Sequence, residues 1–267
     1  MVLRSRYNRP SLFRKEPSTD TLTPPVPLFD ADGHRIYWLG VCEASAFRCN
    51  TYLVRSGATG VLVDPGGRNH FTAVRAAVEK IMPVEALTGM VLCHQDPDVA
   101  ASMIDWLAVN PELTVFTTPR THVLLPSYGH RDYRLHDVEA TPEFTLPSGR
   151  SLRFIAAPFL HFPGAFTTFD ESSGFLFSGD VWAALDFDWR LFVDDFDEHV
   201  PRMDLFHLEY MPTNLAARGF VKRIEHLPIR AILPQHGGIL REQDVPRALD
   251  YLRELRCGLD IIYADLQ

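Results

Sequence analysis

The sequence predicts an α/β (α+β) chain folded as a four-layer αββα sandwich, with two β-sheets packed face to face and helices outside. Three observations carry that expectation. Strand-like runs first follow one another without intervening helices, and only then alternate with helical segments. The same order recurs in the second half of the chain, which suits two sheets better than one continuous parallel sheet. Finally, several apolar runs end abruptly in His or Asp, as buried strands do when they emerge at one edge of a core.

The elements follow in order. Residues 1–27 read as a polar N-terminal tail, because Arg4, Arg6, Arg9, Arg14 and Lys15 precede a Pro/Ser/Thr-rich stretch with no apolar segment. Residues 28–267 are expected to form a single domain. Runs at 36–39, 47–54 and 60–64 predict an antiparallel meander, closed by the turn Asp64-Pro65-Gly66-Gly67. Phe71, Val74, Ala77, Val78 and Ile81 have helical spacing. A strand then ends at His94, residues 100–107 continue as helix, and 113–117 return as strand. Residues 131–142 read as a polar loop. Strands are expected at 151–156, 166–169 and 174–177, a helix across 220–226, a buried strand at 231–233 and a final helix over about 245–255.

With 267 residues and 46% hydrophobic content, the chain can bury roughly 70–75% of its unfolded surface. A formal charge of −8 opposes nucleic acid or an anionic membrane as partner. No apolar window reaches the length of a membrane span. Cys42, Cys49, Cys93 and Cys257 have no C-x-x-C spacing, so they are expected to be reduced thiols in a cytoplasmic protein.

The candidate site starts at His94-Gln95-Asp96-Pro97-Asp98. One imidazole and two carboxylates crowd the end of a strand where Pro97 begins a helix. Such groups are costly to bury unpaired and are readily held by a divalent ion. His161, Asp180 and His236 also stand where apolar strands end, so all six can converge at one end of the sheets. Six donors suffice for two metals, and Asp180 is the natural bridge because a carboxylate offers two oxygens. Three carboxylates and three imidazoles suit iron or manganese, with zinc as the alternative. Cys93 is expected to point to the opposite strand face from His94. His34, His70, His199, His207 and His226 read as surface or internally satisfied residues. His122, His130 and His136, with Tyr128 and Tyr133, lie in a stretch that could roof the site. Phe159, Phe162, Phe166, Phe175, Phe177 and Trp182 are read as core that could also form an apolar shell.

The motif H-x-D-x-D, then His161, then Asp180 after 18 intervening residues, then His236 in P-Q-H-G-G, resembles the metallo-β-lactamase superfamily. More narrowly it resembles the di-iron branch, which holds the flavodiiron reductases and stand-alone oxygen-binding di-iron proteins. Asp96 carries the likeness to that branch, since zinc hydrolases of the superfamily usually have His there. The resemblance implies His94, Asp96 and His161 on a first iron, Asp98 and His236 on a second, and Asp180 bridging. Val99 departs from the flavodiiron pattern, which often has a second-metal His at this place. The second metal is therefore expected to have three protein ligands and more open positions.

Functionally, the resemblance implies a di-iron protein that binds and senses dioxygen. Weak reduction of dioxygen or nitric oxide would need an external electron donor, because flavodiiron reductases carry a flavodoxin-like domain and no flavin site is expected here. A separate redox or signalling protein and a homodimer are the implied partners. The competing reading is a zinc-dependent hydrolase of the same superfamily.

Overall fold

The computed structural model describes residues 22–41, 46–129 and 132–266. Most of the expected tail, together with Cys42 and His130, lies outside them. Strands β1 (Val26–Ala31), β2 (His34–Val41), β3 (Asn50–Ser56) and β4 (Thr59–Val63) form the antiparallel meander. Helix α1 (Phe71–Glu79) then leads to β5 (Leu87–Val91). Short helices α2 (Pro97–Ala100) and α3 (Met103–Val109) precede β6 (Thr114–Thr117), and α4 (Pro119–His122) precedes β7 (Arg134–Asp137). These seven strands make one sheet in sequence order, with β4 to β7 parallel.

The second sheet contains β8 (Glu143–Thr145), β9 (Ser151–Ala156), β10 (Phe166–Asp170) and β11 (Phe175–Gly179). After α5 (Phe196–Tyr210) and α6 (Asn214–Ile224) it adds β12 (Ala231–Pro234) and β13 (Leu240–Arg241). Helices α7 (Val245–Glu254) and α8 (Leu259–Ile262) follow. Strand order is β13-β12-β11-β10-β9-β8, with only the β11–β12 pair parallel.

Strand periodicity builds the four layers. Ile36, Trp38, Val61, Val63 and Val91 face Phe154, Phe166 and Phe177 of the opposite sheet. The alternate residues Leu39, Leu62, Met90 and Leu92 pack outward on Val74, Val78 and Trp106 of α1 and α3. Across the sandwich, Leu176 and Ile232 pack outward on Met203, Phe206, Phe220 and Leu252 of α5, α6 and α7. This is the αββα arrangement that the order of elements predicts.

Several elements differ from the sequence reading: β1 begins at Val26, inside the expected tail, and β8 and β13 are short strands that the pattern does not reveal. Residues 131–142 contain β7, whose register pairs Val115 with Leu135 and Phe116 with His136. Its side chains are exposed or half-buried, because an edge strand has one neighbour and needs little apolar content. The longest helix, α5, is hidden in sequence by Pro201 and by His and acidic residues. Asp195 caps it, accepting hydrogen bonds from the Asp197 and Glu198 N–H groups.

The two sheets are stitched at the edge where the site forms. Asn50 at the start of β3 donates from Nδ2 to the carbonyls of Pro234 (3.0 Å) and Gly237 (2.8 Å) and accepts from Trp38 Nε1 at 3.0 Å. Tyr52 donates to the Pro234 carbonyl at 2.9 Å. Further down the sheets, buried His34 lies 3.1 Å from Ser56 Oγ and 3.0 Å from Asp170 Oδ2. No helix among the described residues is long and apolar enough to cross a membrane.

Removing the Asn50 amide strands buried polar groups on both sheets, so Asn50→Ala should cost about 3 kcal/mol in urea unfolding. Arg68→Ala, which removes an ion pair with Asp105 at the surface, should leave the urea midpoint almost unchanged. Equal losses would contradict the stitching role.

Candidate metal centre

All six sequence-predicted donors come together at one edge of the sandwich. His94 follows β5, Asp96 and Asp98 flank Pro97 at the start of α2, and His161 lies in the turn between β9 and β10. Asp180 immediately follows β11 and His236 follows β12. Asp96 stands at the N-cap of α2, yet its side chain makes no capping hydrogen bond. Its carboxylate turns into the site instead.

Asp180 organises the geometry. Its Oδ2 lies 3.0 Å from His161 Nε2 and 3.3 Å from His94 Nε2, while its Oδ1 lies 3.7 Å from His236 Nε2. Asp96 Oδ2 is 3.3 Å from His161 Nε2 and 3.5 Å from His94 Nε2. Asp98 Oδ2 is 3.3 Å from His236 Nε2. The donors therefore fall into two groups, His94, Asp96, His161 and Asp180 on one side, and Asp98 and His236 with Cys49 on the other. Among the described residues, these are the groups of His, Cys, Asp and Glu whose donor atoms lie close enough to share an ion.

Electrostatics mark the cluster as one that wants a cation. Burial alone would raise Asp180, but the neighbouring His94 charge and the close His161 imidazole hold it well below the usual carboxylate range. Burial likewise opposes the charged forms of Asp96 and His161, but the His161 and His94 imidazoles act on Asp96, and the carboxylates of Asp180 and then Asp96 act on His161, and these contacts win. Asp96 is lowered and His161 is raised to about 9. His94 Nε2 and Asp180 Oδ1 are buried with no hydrogen-bond partner. Orphaned polar atoms of opposite character, gathered in one buried cluster, fit a coordinated ion.

Supporting contacts fix the rings. His236 donates from Nδ1 to the Arg48 carbonyl at 2.9 Å, leaving Nε2 toward the site. Asp64 accepts from the Cys93 N–H at 3.0 Å, and burial raises its carboxyl to about 6. Cys93 does stay out of the donor set, but its Sγ lies 3.1 Å from His94 Nδ1 and so touches the back of that ring. Gly179 holds φ +56°, and a Cβ there would meet Cys93 Sγ at 2.9 Å. Trp182, two residues beyond Asp180, donates its N–H to His207 Nε2 at 3.0 Å. Val99 is fully buried and offers no donor.

Of the aromatic residues read as core, Phe166, Phe177 and Trp182 are core, and the apolar shell at the imidazoles comes from elsewhere. Phe166 and Phe177 belong to the inter-sheet core, and Phe159 is exposed. The aromatic rings beside the imidazoles are Phe47, 4.4 Å from His236 between centroids, and Phe206 and Tyr210, 5.7 and 5.9 Å from His161. The last two come from α5, which the sequence pattern does not reveal. Of the suspected roof, Tyr128 donates to the Gln95 carbonyl beside Asp96. His122 pairs with Tyr133, and His136 packs on Phe116 in β7, away from the donors. Cys49, expected only as a reduced thiol, has its Sγ 3.4 Å from Asp98 Oδ2. No motif in the sequence separates it from an ordinary buried thiol.

This fold and this paired His/Asp site are those of a metallo-β-lactamase-like protein. The chain belongs to the ODP family of β-lactamase-like proteins, whose family model matches residues 47–237. The structure of a "peroxy diiron species of chemotaxis sensor ODP" superposes with a TM-score of 0.79 at 31% identity, covering 90% of this chain and 98% of that one. The apo state of chemotaxis sensor ODP from T. denticola gives 0.78 at 32% identity, covering 90% and 97%. Among curated relatives, a putative diflavin flavoprotein A 1 from Nostoc sp. is 24% identical over 72% of this chain and 33% of its own length. An anaerobic nitric oxide reductase flavorubredoxin from Enterobacter sp. is 23% identical over 76% and 43%. The chain thus spans a third to under half of these two curated relatives.

If Asp180 serves both donor groups, Asp180→Ala should bind fewer than two divalent ions per chain by metal analysis after gel filtration. Retention of two tightly held ions would contradict the arrangement. A second expectation concerns pH. Burial lowers His199 and His207 on α5 to about 4, below the ~6.5 of an unfolded chain. The unfolded state then binds more protons, so stability falls as pH drops from about 6.5 toward 4. His199→Phe should make this fall shallower in urea melts at pH 7 and pH 5, and an unchanged slope would count against it.

Proposed function

We propose that the chain is a di-iron protein that binds dioxygen at the paired His/Asp site and senses it, passing the signal to a separate protein in the cytoplasm. In this reading His94, Asp96 and His161 hold one iron, Asp98 and His236 the other, and Asp180 bridges them. The observation that carries it is the division of Asp180 between the two donor groups, with Oδ2 toward one and Oδ1 toward the other. A mixed carboxylate and imidazole set suits ferrous iron, and two such ions supply the electrons that dioxygen binding draws on, which zinc does not.

The chain's own residues do the rest. His236 is oriented by the Arg48 carbonyl and His94 is backed by Cys93. Phe47 and Phe206 limit water beside the imidazoles, which favours retention of a small apolar ligand. Sensing, in preference to turnover, is supported by the 98% coverage of a chain described as a chemotaxis sensor. The likeness to nitric oxide reductases makes weak dioxygen or nitric oxide reduction, with an external donor, the secondary activity. A homodimer belongs to the same proposal.

The test is anaerobic reconstitution with iron(II), followed by optical spectra as dioxygen is admitted. About two irons per chain and a new visible absorption band are expected. Two irons with no spectral change, or a preference for two zinc ions together with hydrolytic activity, would overturn the reading.

A further inference from the structure

The second donor group carries one residue that the ligand set above does not use. Cys49 stands just before β3, where the Asn50 N–H donates to the Gln235 carbonyl at 2.6 Å and Cys49 itself forms a β-bridge with His236. The same stitching that holds the sheets together therefore fixes Cys49 against the His236 turn. Its Sγ lies 3.4 Å from Asp98 Oδ2, which is 3.3 Å from His236 Nε2, and the three donor atoms all fall within 4.8 Å of one another. Donors bound to one ion at ~2.0–2.3 Å are separated by roughly 3.3–3.8 Å in a tetrahedral set. The Sγ–Oδ2 and Oδ2–Nε2 spacings are of that size.

Independently, Asp180 Oδ1 points into this group. The side chain is 3% exposed, Oδ1 has no hydrogen-bond partner, and it lies 3.7 Å from His236 Nε2. Val99 offers nothing at the place where a further donor is missing. We propose that Cys49 supplies it, so that the second ion is held by Cys49 Sγ, Asp98, His236 and Asp180 in a mixed sulfur, oxygen and nitrogen site.

This rests on the dinuclear reading and deepens it. On binding, the Sγ–H proton leaves to solvent as the metal–sulfur bond forms, because a coordinating thiol is deprotonated. Three carboxylates and one thiolate then balance two divalent cations without an added hydroxide. The two positions become chemically unequal, one hard and one softer.

Cobalt(II) is the probe, added anaerobically to the full chain, because a cobalt–thiolate bond gives a near-ultraviolet charge-transfer band that oxygen and nitrogen donors do not. The wild type should bind two cobalt ions and develop the band. Cys257→Ser, which alters a buried cysteine away from the site, should keep it. Cys49→Ser and Cys49→Ala should lose the band and bind the second ion at least tenfold more weakly. X-ray absorption at the cobalt edge gives a readout in the wild type alone, a cobalt–sulfur scattering contribution near the ~2.3 Å of a metal–thiolate bond. Two bound cobalt ions without the band, persistence of the band in Cys49→Ser, or a cobalt edge with no sulfur scattering would overturn the proposal and leave the dinuclear site standing. Fewer than two cobalt ions in the wild type would remove both.

Discussion

Asp180 is a buried carboxylate with a histidine on either side, and burying an anion is tolerable only when opposite charge is held against it. Everything around the site answers to that constraint. The imidazoles of His94 and His161 face one of its oxygens and that of His236 faces the other. Without an ion, protons on the histidines must balance the aspartates, as the raised His161 and lowered Asp96 indicate. In the proposed function a pair of divalent cations would do the same work with directed bonds, making the proton-balanced cluster and the metal site two states of one arrangement.

The scaffold makes this possible because the donors come from both sheets. His94, Asp96 and Asp98 extend from the seven-stranded sheet, and His161, Asp180 and His236 from the six-stranded one. Any sliding of the sheets would separate them. Asn50 prevents it by bonding from β3 to the two carbonyls that flank the Gln235-His236 turn. Gly237 has φ +91°, and a Cβ there would strike Ala184 at 2.7 Å. The turn carrying His236 can therefore sit directly against the one carrying Asp180, where the Ala184 N–H meets the His236 carbonyl.

Much of this arrangement is legible in the amino-acid sequence. Strands that end in His or Asp name their own edge, and His94, His161, Asp180 and His236 stand out because apolar runs lead up to them. Helix α1 announces itself through Val74, Ala77 and Val78 on one face. Helix α5 does not, because Pro201 interrupts its pattern and two of its inward residues, His199 and His207, are polar. Phe206 and Tyr210, the rings beside His161, stay hidden with it. Strand β7 escapes for a different reason, since a half-exposed edge strand carries no apolar signature. Cys49 is the sharpest example. Its bridge to His236 spans nearly two hundred residues between the sheets, and its contact with Asp98 joins the start of β3 to that of α2, 49 residues apart, neither of which a local spacing encodes.

The central claim is that Asp180 joins two metal ions. X-ray absorption at the iron edge of the anaerobically loaded protein tests it most directly. Two-metal sites hold their ions about 3.5–4 Å apart, so the account predicts an iron–iron scattering contribution near that distance that disappears in Asp180→Ala. Two bound irons with no iron–iron contribution in the wild type would contradict it.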